Sequence, residues 1–143
     1  ARREVVSRID SLVKAFPPLV HPRATVLERA VIGRGVVIGA GAIVSVDVDL
    51  GEFSVLNILA SVSHDCRLGS FATLAPQVAL AGNTFVGDGA DVGTGAVCIP
   101  GAKVGAWSVI GAGAVVIGEV PDRCTAVGVP ARVVRKQRAL EAE

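Results

Sequence analysis

The chain has 143 residues, a formal net charge of +1, and a composition that is 51% hydrophobic but only 3% aromatic, with no Tyr or Met. That length fits a single domain, and its apolar runs are broken by Gly, Asp or Asn too often for a membrane span. Residues 26–120 carry 4 basic and 8 acidic side chains and the flanks 10 and 5, but no aromatic residues interleave with the basic ones, which argues against a nucleic-acid surface.

Residues 1–16 read as an amphipathic helix, with Val5, Val6, Ile9, Leu12, Val13 and Phe16 on one face. Pro17 and Pro18 end it, because the residue before a proline avoids helical geometry. Leu19 to Pro22 then lead into the central stretch. No signal peptide is legible at the start.

From Val26 an aliphatic beat recurs every six residues through Ile32, Ile38, Val44, Leu50 and onward to Val116, with Cys98 its one non-aliphatic member. Four residues after each beat comes a small or slim residue, from Ala30 and Val36 through Cys66, Thr84 and Ser108 to Val120. Glycine follows the beat directly in half the hexads, and the pattern predicts that it turns the corners. A period of six matches neither a helix nor a simple strand. It suits a parallel β-helix of three hexads per coil, the beat filling a shaft too narrow for rings. The expected fold is therefore all-β, a prism of about five coils stacked at about 4.8 Å, with short flanking helical segments.

Pro121-Asp122 interrupt the beat, Cys124 to Val129 form a return segment, and Arg132 to Glu143 read as a basic tail forming a short helix or fraying. Three segments follow: a helix and lead-in at 1–22, the β-helix at 23–120, and a C-terminal cap and tail at 121–143. Open sheet edges are usually covered, so the C-terminal segment is expected on one end and the N-terminal helix on the other. Cys66 and Cys98 fall on inward positions and Cys124 in the exit loop, a use of cysteine that suits a reducing cytoplasm.

The outward position two after each beat forms three columns. Arg34, Glu52, Ser70, Asp88 and Ala106 read as a solvent edge. Ala40, Ile58, Pro76, Thr94 and Ala112 make a second column, and Glu28, Val46, His64, Gly82, Pro100 and Gly118 a third. Exposed small and apolar strips of this kind mark an interface, and three-sided geometry makes a homotrimer the natural assembly. His64 is the one histidine inside the repeat, Asp65 follows it, and Gly82 lies one coil above with room and an N–H beside the ring. A neutral imidazole makes a general base. The plainer reading is a surface histidine on a corner.

The stretches Ser61-Val62-Ser63-His64-Asp65-Cys66-Arg67-Leu68-Gly69, Ala79-Leu80-Ala81-Gly82-Asn83 and Gly128-Val129-Pro130-Ala131 resemble the hexapeptide-repeat sugar acetyltransferases of the sialic-acid O-acetyltransferase and UDP-amino-sugar N-acetyltransferase type. The resemblance covers residues 19–135. It implies a left-handed β-helix, whereas the general rule for parallel crossovers favours the right hand. It also implies direct transfer from acetyl-CoA, without a metal, to an amine or hydroxyl of a nucleotide-linked amino sugar or sialic acid, in a cleft between subunits. His64 would be the base and Asp65 would tune it. The Gly82 N–H would bind the thioester oxygen or the pantetheine arm. Thr94 and Ala112 of the facing subunit would contact CoA, with Gly128, Pro130 and Arg132 near the adenine. Asn57 matches a sugar-contacting position, and Thr73 stands where many relatives carry a second histidine. Residues 1–16 match only the last helix of an N-terminal nucleotide-sugar domain usual in the family, so the sugar site is expected to be incomplete.

Competing chemistries fit less well. Cys66 occupies an inward slot, against a Cys–His nucleophile. The glycines lie outside any strand–loop–helix with the Walker lysine. Two histidines, His21 and His64, cannot supply the three needed for the zinc of a γ-type carbonic anhydrase. A non-catalytic β-helix scaffold or binding module is the alternative from another class.

Overall fold

A computed structural model describes residues 1–136. Every hexad between Leu19 and Val116 gives one two-residue strand, and three successive strands close a triangular coil. Face A stacks Leu19–Val20, Val37–Ile38, Val55–Leu56, Thr73–Leu74, Asp91–Val92 and Val109–Ile110. Face B stacks Thr25–Val26, Ile43–Val44, Ser61–Val62, Ala79–Leu80, Val97–Cys98 and Val115–Val116. Face C runs from Val31–Ile32 through Asp49–Leu50, Arg67–Leu68, Phe85–Val86 and Lys103–Val104 to Glu119–Val120. All these ladders are parallel, residue i facing i+18 up to Val116, as with Ser61 opposite Ala79. The architecture is a left-handed parallel β-helix.

The shaft is filled as the hexad predicts. The beats from Ile38 to Val116 and the slim residues from Val36 to Val120 are all buried. There are six coils rather than about five, because Leu19–Val20 already pair with Val37–Ile38. Val20 stands six residues before Val26, so the beat began one hexad earlier.

The corners correct a second expectation. The glycines directly after the beat are not left-handed. Positive φ falls instead three residues after the beat, at six glycines such as Gly35 and Gly89 and at nine non-glycine residues that include Asp47 (57°), Phe53 (56°), Asp65 (59°) and Trp107 (57°). A left-handed L-residue costs roughly 1–2 kcal/mol. Most of these corners also gain a backbone bond to the coil before, as in Asp65 N–H to Val46 O at 3.2 Å and Asn83 N–H to His64 O at 3.0 Å. The glycines after the beat serve close stacking instead: a Cβ on Gly51 would lie 2.5 Å from Ser70 N.

The flanks differ from the expectation too. The helix α1 spans Arg2–Ile9, shorter than 1–16, because Phe16 is drawn into the first coil, its carbonyl accepting from Gly35 N–H at 2.7 Å. It does not cap an end. It lies along the corner between faces C and A, where Phe53, Phe71 and Trp107 project at left-handed positions. Arg2 donates to Phe71 O and Thr73 Oγ1, Asp10 pairs with Arg34 at 2.7 Å, and Phe16 meets Phe53 edge-on while Phe53 stacks on Phe71. The column that begins with Arg34 and Glu52 keeps Arg34, Glu52 and Asp88 exposed, while the aromatic positions one residue later are covered by α1. The coil that opens the solenoid leaves Leu19 and Val31 exposed.

At the far end, Cys124–Val127 joins face A beside Val109–Ile110, and Arg132–Lys136 folds back on it antiparallel. The start of the predicted basic tail is thus a strand; its helix is absent at 132–136, and 137–143 lie outside the described residues. Cys124 is buried, and lies in a strand rather than in a loop.

Candidate active site on two edges of the prism

His64 sits on the corner between faces B and C. The strand Ser61–Val62 delivers it, and the left-handed turn at Asp65 returns the chain inward at Cys66. That turn brings the Asp65 carboxylate back to the preceding side chain: His64 Nδ1 and Asp65 Oδ2 are 2.8 Å apart. With the Nδ1 proton donated to Asp65, Nε2 is left as the acceptor. Both side chains are about half exposed, at 54% and 53%.

The imidazole rests on Gly82, one coil above. A Cβ at Gly82 would fall 2.6 Å from both Cε1 and Nε2 of His64, so only glycine admits this ring position. Among the described residues the Gly82 N–H has no acceptor. One coil below, Arg29 makes a two-pronged contact with Asp47 at 2.7 and 2.6 Å. The hydrogen bond from Arg29 holds the Asp47 carboxyl below its usual value.

Cys66 is no partner for His64. It is buried, its Sγ donates inward to Ala81 O at 3.1 Å, and burial pushes its thiol up. A thiolate nucleophile is disfavoured on both counts.

The remaining candidates fall elsewhere on the chain. Thr94 and Ala112 are exposed on the corner between faces A and B. The Gly128–Pro130 turn arches over the end of face B beside them, with Val115 N–H donating to Gly128 O and Ala131 N–H to Val115 O. Arg132 follows, exposed, its guanidinium donating to Ala131 O. Asn57 lies on the same A–B edge, lower down, and its amide already donates to Leu74 O at 3.0 Å. Thr73 is on face A, the side of the prism opposite the B–C corner, bonded to Arg2 at 2.6 Å.

One group, His64, Asp65 and Gly82, is therefore brought together on the B–C edge. A second, Thr94, Ala112 and Gly128 to Pro130, lines the A–B edge. Face B separates them. Sequence reasoning missed the Arg29–Asp47 pair, which the eighteen-residue period would have aligned. Among the described residues no three metal-binding side chains converge, and no helix is long and apolar enough to cross a membrane.

Solved structures share both sequence and fold with this chain. The acetyltransferase domain of PglB from Neisseria gonorrhoeae FA1090, in complex with acetyl coenzyme A, is 38% identical over 93% of this chain and 65% of that one, with a TM-score of 0.90. A histidine-to-alanine variant of GDP-perosamine N-acetyltransferase from Caulobacter crescentus, in complex with CoA and GDP-perosamine, is 36% identical over 94% of this chain and 64% of that one, at 0.92. The chain is thus similar in sequence and fold to the β-helix of hexapeptide-repeat sugar acetyltransferases. WeeI from Acinetobacter baumannii AYE is similar as well, 31% identical over 93% of this chain and 65% of that one, at 0.88. This β-helix thus spans about two thirds of the length of those relatives. No protein-family model matches it, and no curated protein does.

Proposed function

We propose that this chain transfers an acetyl group from acetyl-CoA to the amine of a nucleotide-linked amino sugar, with His64 as general base. The observation that carries the reading is the His64–Asp65 pair packed on Gly82, on a chain 36–38% identical to acetyltransferases crystallised with acetyl-CoA, or with CoA and a GDP-sugar. The names of the C. crescentus relatives favour an amine over the hydroxyl of a sialic acid.

The neutral amine attacks the thioester carbonyl carbon while Nε2 of His64 accepts its proton. Asp65 holds the ring and stabilises the imidazolium. The Gly82 N–H donates to the oxygen as negative charge develops there. The C–S bond then breaks, and the CoA thiolate takes the proton from His64. Proton and acetyl group are both accounted for without a metal.

In this reading the cleft lies between copies. The B–C edge of one copy supplies His64, Asp65 and Gly82, and the A–B edge of the next supplies Thr94, Ala112 and the Gly128–Arg132 turn for CoA, in a homotrimer. Asn57, on the A–B edge, is the sugar-side position; Thr73, on face A and bonded to Arg2, lies outside this cleft. Three free, buried thiols suit a cytoplasmic setting.

The test is release of CoA thiol with a panel of nucleotide amino sugars and sialic acids, alongside mass by light scattering. Wild type should be a trimer that turns over an amino sugar, and His64→Ala should lose roughly 10²–10⁴ in kcat while still binding acetyl-CoA by calorimetry. A monomer, or a His64→Ala variant with full activity, refutes the assignment. A trimer with no affinity for acetyl-CoA favours the scaffold reading.

A further inference from the structure

The Ala81 carbonyl receives two donors from inside the shaft. Thr84 Oγ1 donates to it at 2.6 Å and Cys66 Sγ at 3.1 Å. Both donors are buried, Thr84 at 1% exposure and Cys66 at 0%. Among the described residues no other carbonyl takes two buried side-chain donors. In many other coils the corresponding carbonyl accepts the backbone N–H three residues on, as in Ala60 N–H to Asn57 O and Ala102 N–H to Ile99 O, and at Gly105 it accepts one buried hydroxyl, that of Ser108, at 2.7 Å.

This carbonyl belongs to the peptide whose nitrogen is Gly82. A trans peptide is planar, with its C=O and N–H pointing in opposite directions. If the oxygen is held towards the shaft, the N–H is aimed away from it, to the side where His64 lies against Gly82. Donors on a carbonyl also strengthen the N–H of the same unit as a donor, by roughly 10–30% per bond.

We propose that Thr84 and Cys66 are positioning residues for acetyl transfer, fixing and polarising the Ala81–Gly82 peptide so that its N–H meets the thioester oxygen. This rests on the function proposed above. It also explains why a hydroxyl and a thiol occupy slots that hold Ala or Val in most coils. Neither side chain can touch substrate. Both act through one amide. Thr84 contributes the shorter contact and is the larger lever.

The experiment pairs kinetics with a spectrum. Thr84→Val keeps the shape, and Val already fills the same slot at 36, 48 and 78. Losing a whole oxyanion donor costs about 10²–10³ in kcat, so weakening one should cost roughly three- to tenfold. Expected are that fall in kcat with KM for acetyl-CoA within twofold, an unchanged trimer, and recovery in Thr84→Ser. In spectra of protein labelled with ¹⁵N-glycine, the Gly82 amide proton should move upfield in Thr84→Val and return in Thr84→Ser. Cys66→Ala should move it the same way by less.

A Gly82 resonance unmoved by Thr84→Val overturns the polarisation, and a moved resonance with wild-type kcat overturns its catalytic use. Equal losses in Thr84→Val and Thr84→Ser overturn it also, since packing alone would then be at issue. If wild type transfers no acetyl group to any acceptor, the function reading has failed instead, and the Gly82 spectrum decides the peptide effect by itself.

Discussion

Gly82→Ala separates the demands of the site from those of the fold. The added Cβ would lie 2.6 Å from His64 Cε1 and Nε2, where ordinary contact begins at 3.4 Å. The obstacle is a half-exposed side chain, and Gly82 is not in the left-handed region. The backbone can therefore stay while the imidazole swings away by roughly 1 Å, a displacement that typically costs about 10²-fold in rate. It would also pull Nδ1 from its 2.8 Å contact with Asp65. Gly51→Ala is the matched comparison: its Cβ would lie 2.5 Å from Ser70 N, a backbone atom of the next coil. Overpacking there should cost about 1–3 kcal/mol and several degrees in Tm. Thiol-release kinetics and thermal melts on both variants give the answer. Expected are a kcat near 1% of wild type with little change in Tm for Gly82→Ala, and the reverse for Gly51→Ala. A Gly82→Ala enzyme with wild-type kcat would refute the argument, as would one that melts as early as Gly51→Ala.

Two further predictions concern the shaft and its covered edge. The Cys98 thiol is pushed up to about 12 by burial, with a smaller contribution from Cys66. An unfolded thiol loses its proton near pH 8.5, so from there to about 12 only the unfolded chain deprotonates, and stability falls by up to about 1.4 kcal/mol per pH unit. Below that window the thiol is neutral in both states and contributes no slope. Urea midpoints for wild type should therefore drop more steeply between pH 9 and 11 than those of Cys98→Val; parallel curves would contradict this. Phe53→Ala should destabilise the chain by about 3–5 kcal/mol, because Phe53 is 6% exposed and bridges Phe16 and Phe71. A urea titration that shifts by under 1 kcal/mol would show that α1 and the aromatic corner do not stabilise the solenoid.

The core was legible because the shaft admits one beat and one slim side chain per hexad, leaving little freedom in the pattern. His64, Asp65 and Gly82 were legible for a related reason: a period of eighteen places residues 64 and 82 in one column. What escaped lay where the column was read one residue too early. The positions two after the beat, such as Glu52, are polar, whereas Phe53, Phe71 and Trp107 one residue later form the ridge under α1. Glycines directly after the beat suggested tight turns, but the left-handed turn lies two residues later, where glycine serves in some coils and residues such as Asp65 and Phe53, bonded to the coil before, serve in others. At Arg132–Lys136 the preference for a strand depends on the open edge of Cys124–Val127, a tertiary partner that local pattern cannot see.

The division of labour among the three edges has a physical basis. The outward residues of face C include Asp49, Arg67, Lys103 and Glu119, charges that would be costly to desolvate against another copy. The C–A edge is occupied by α1. Face B presents Ile43, Ser61, Ala79, Val97 and Val115, with no charge among them, and the A–B edge beside it exposes Ile58 at 51% and Leu59 at 56%. This side of the prism can meet a second copy without burying an unpaired charge. The two edges that border it are the ones that hold His64 with Gly82 and Thr94 with Ala112. In the proposed trimer, contact along face B brings unlike edges of neighbouring copies together. In that trimer, the constraint that keeps the contact apolar would also open the cleft where the proposed base of one copy meets the proposed CoA-binding edge of the next.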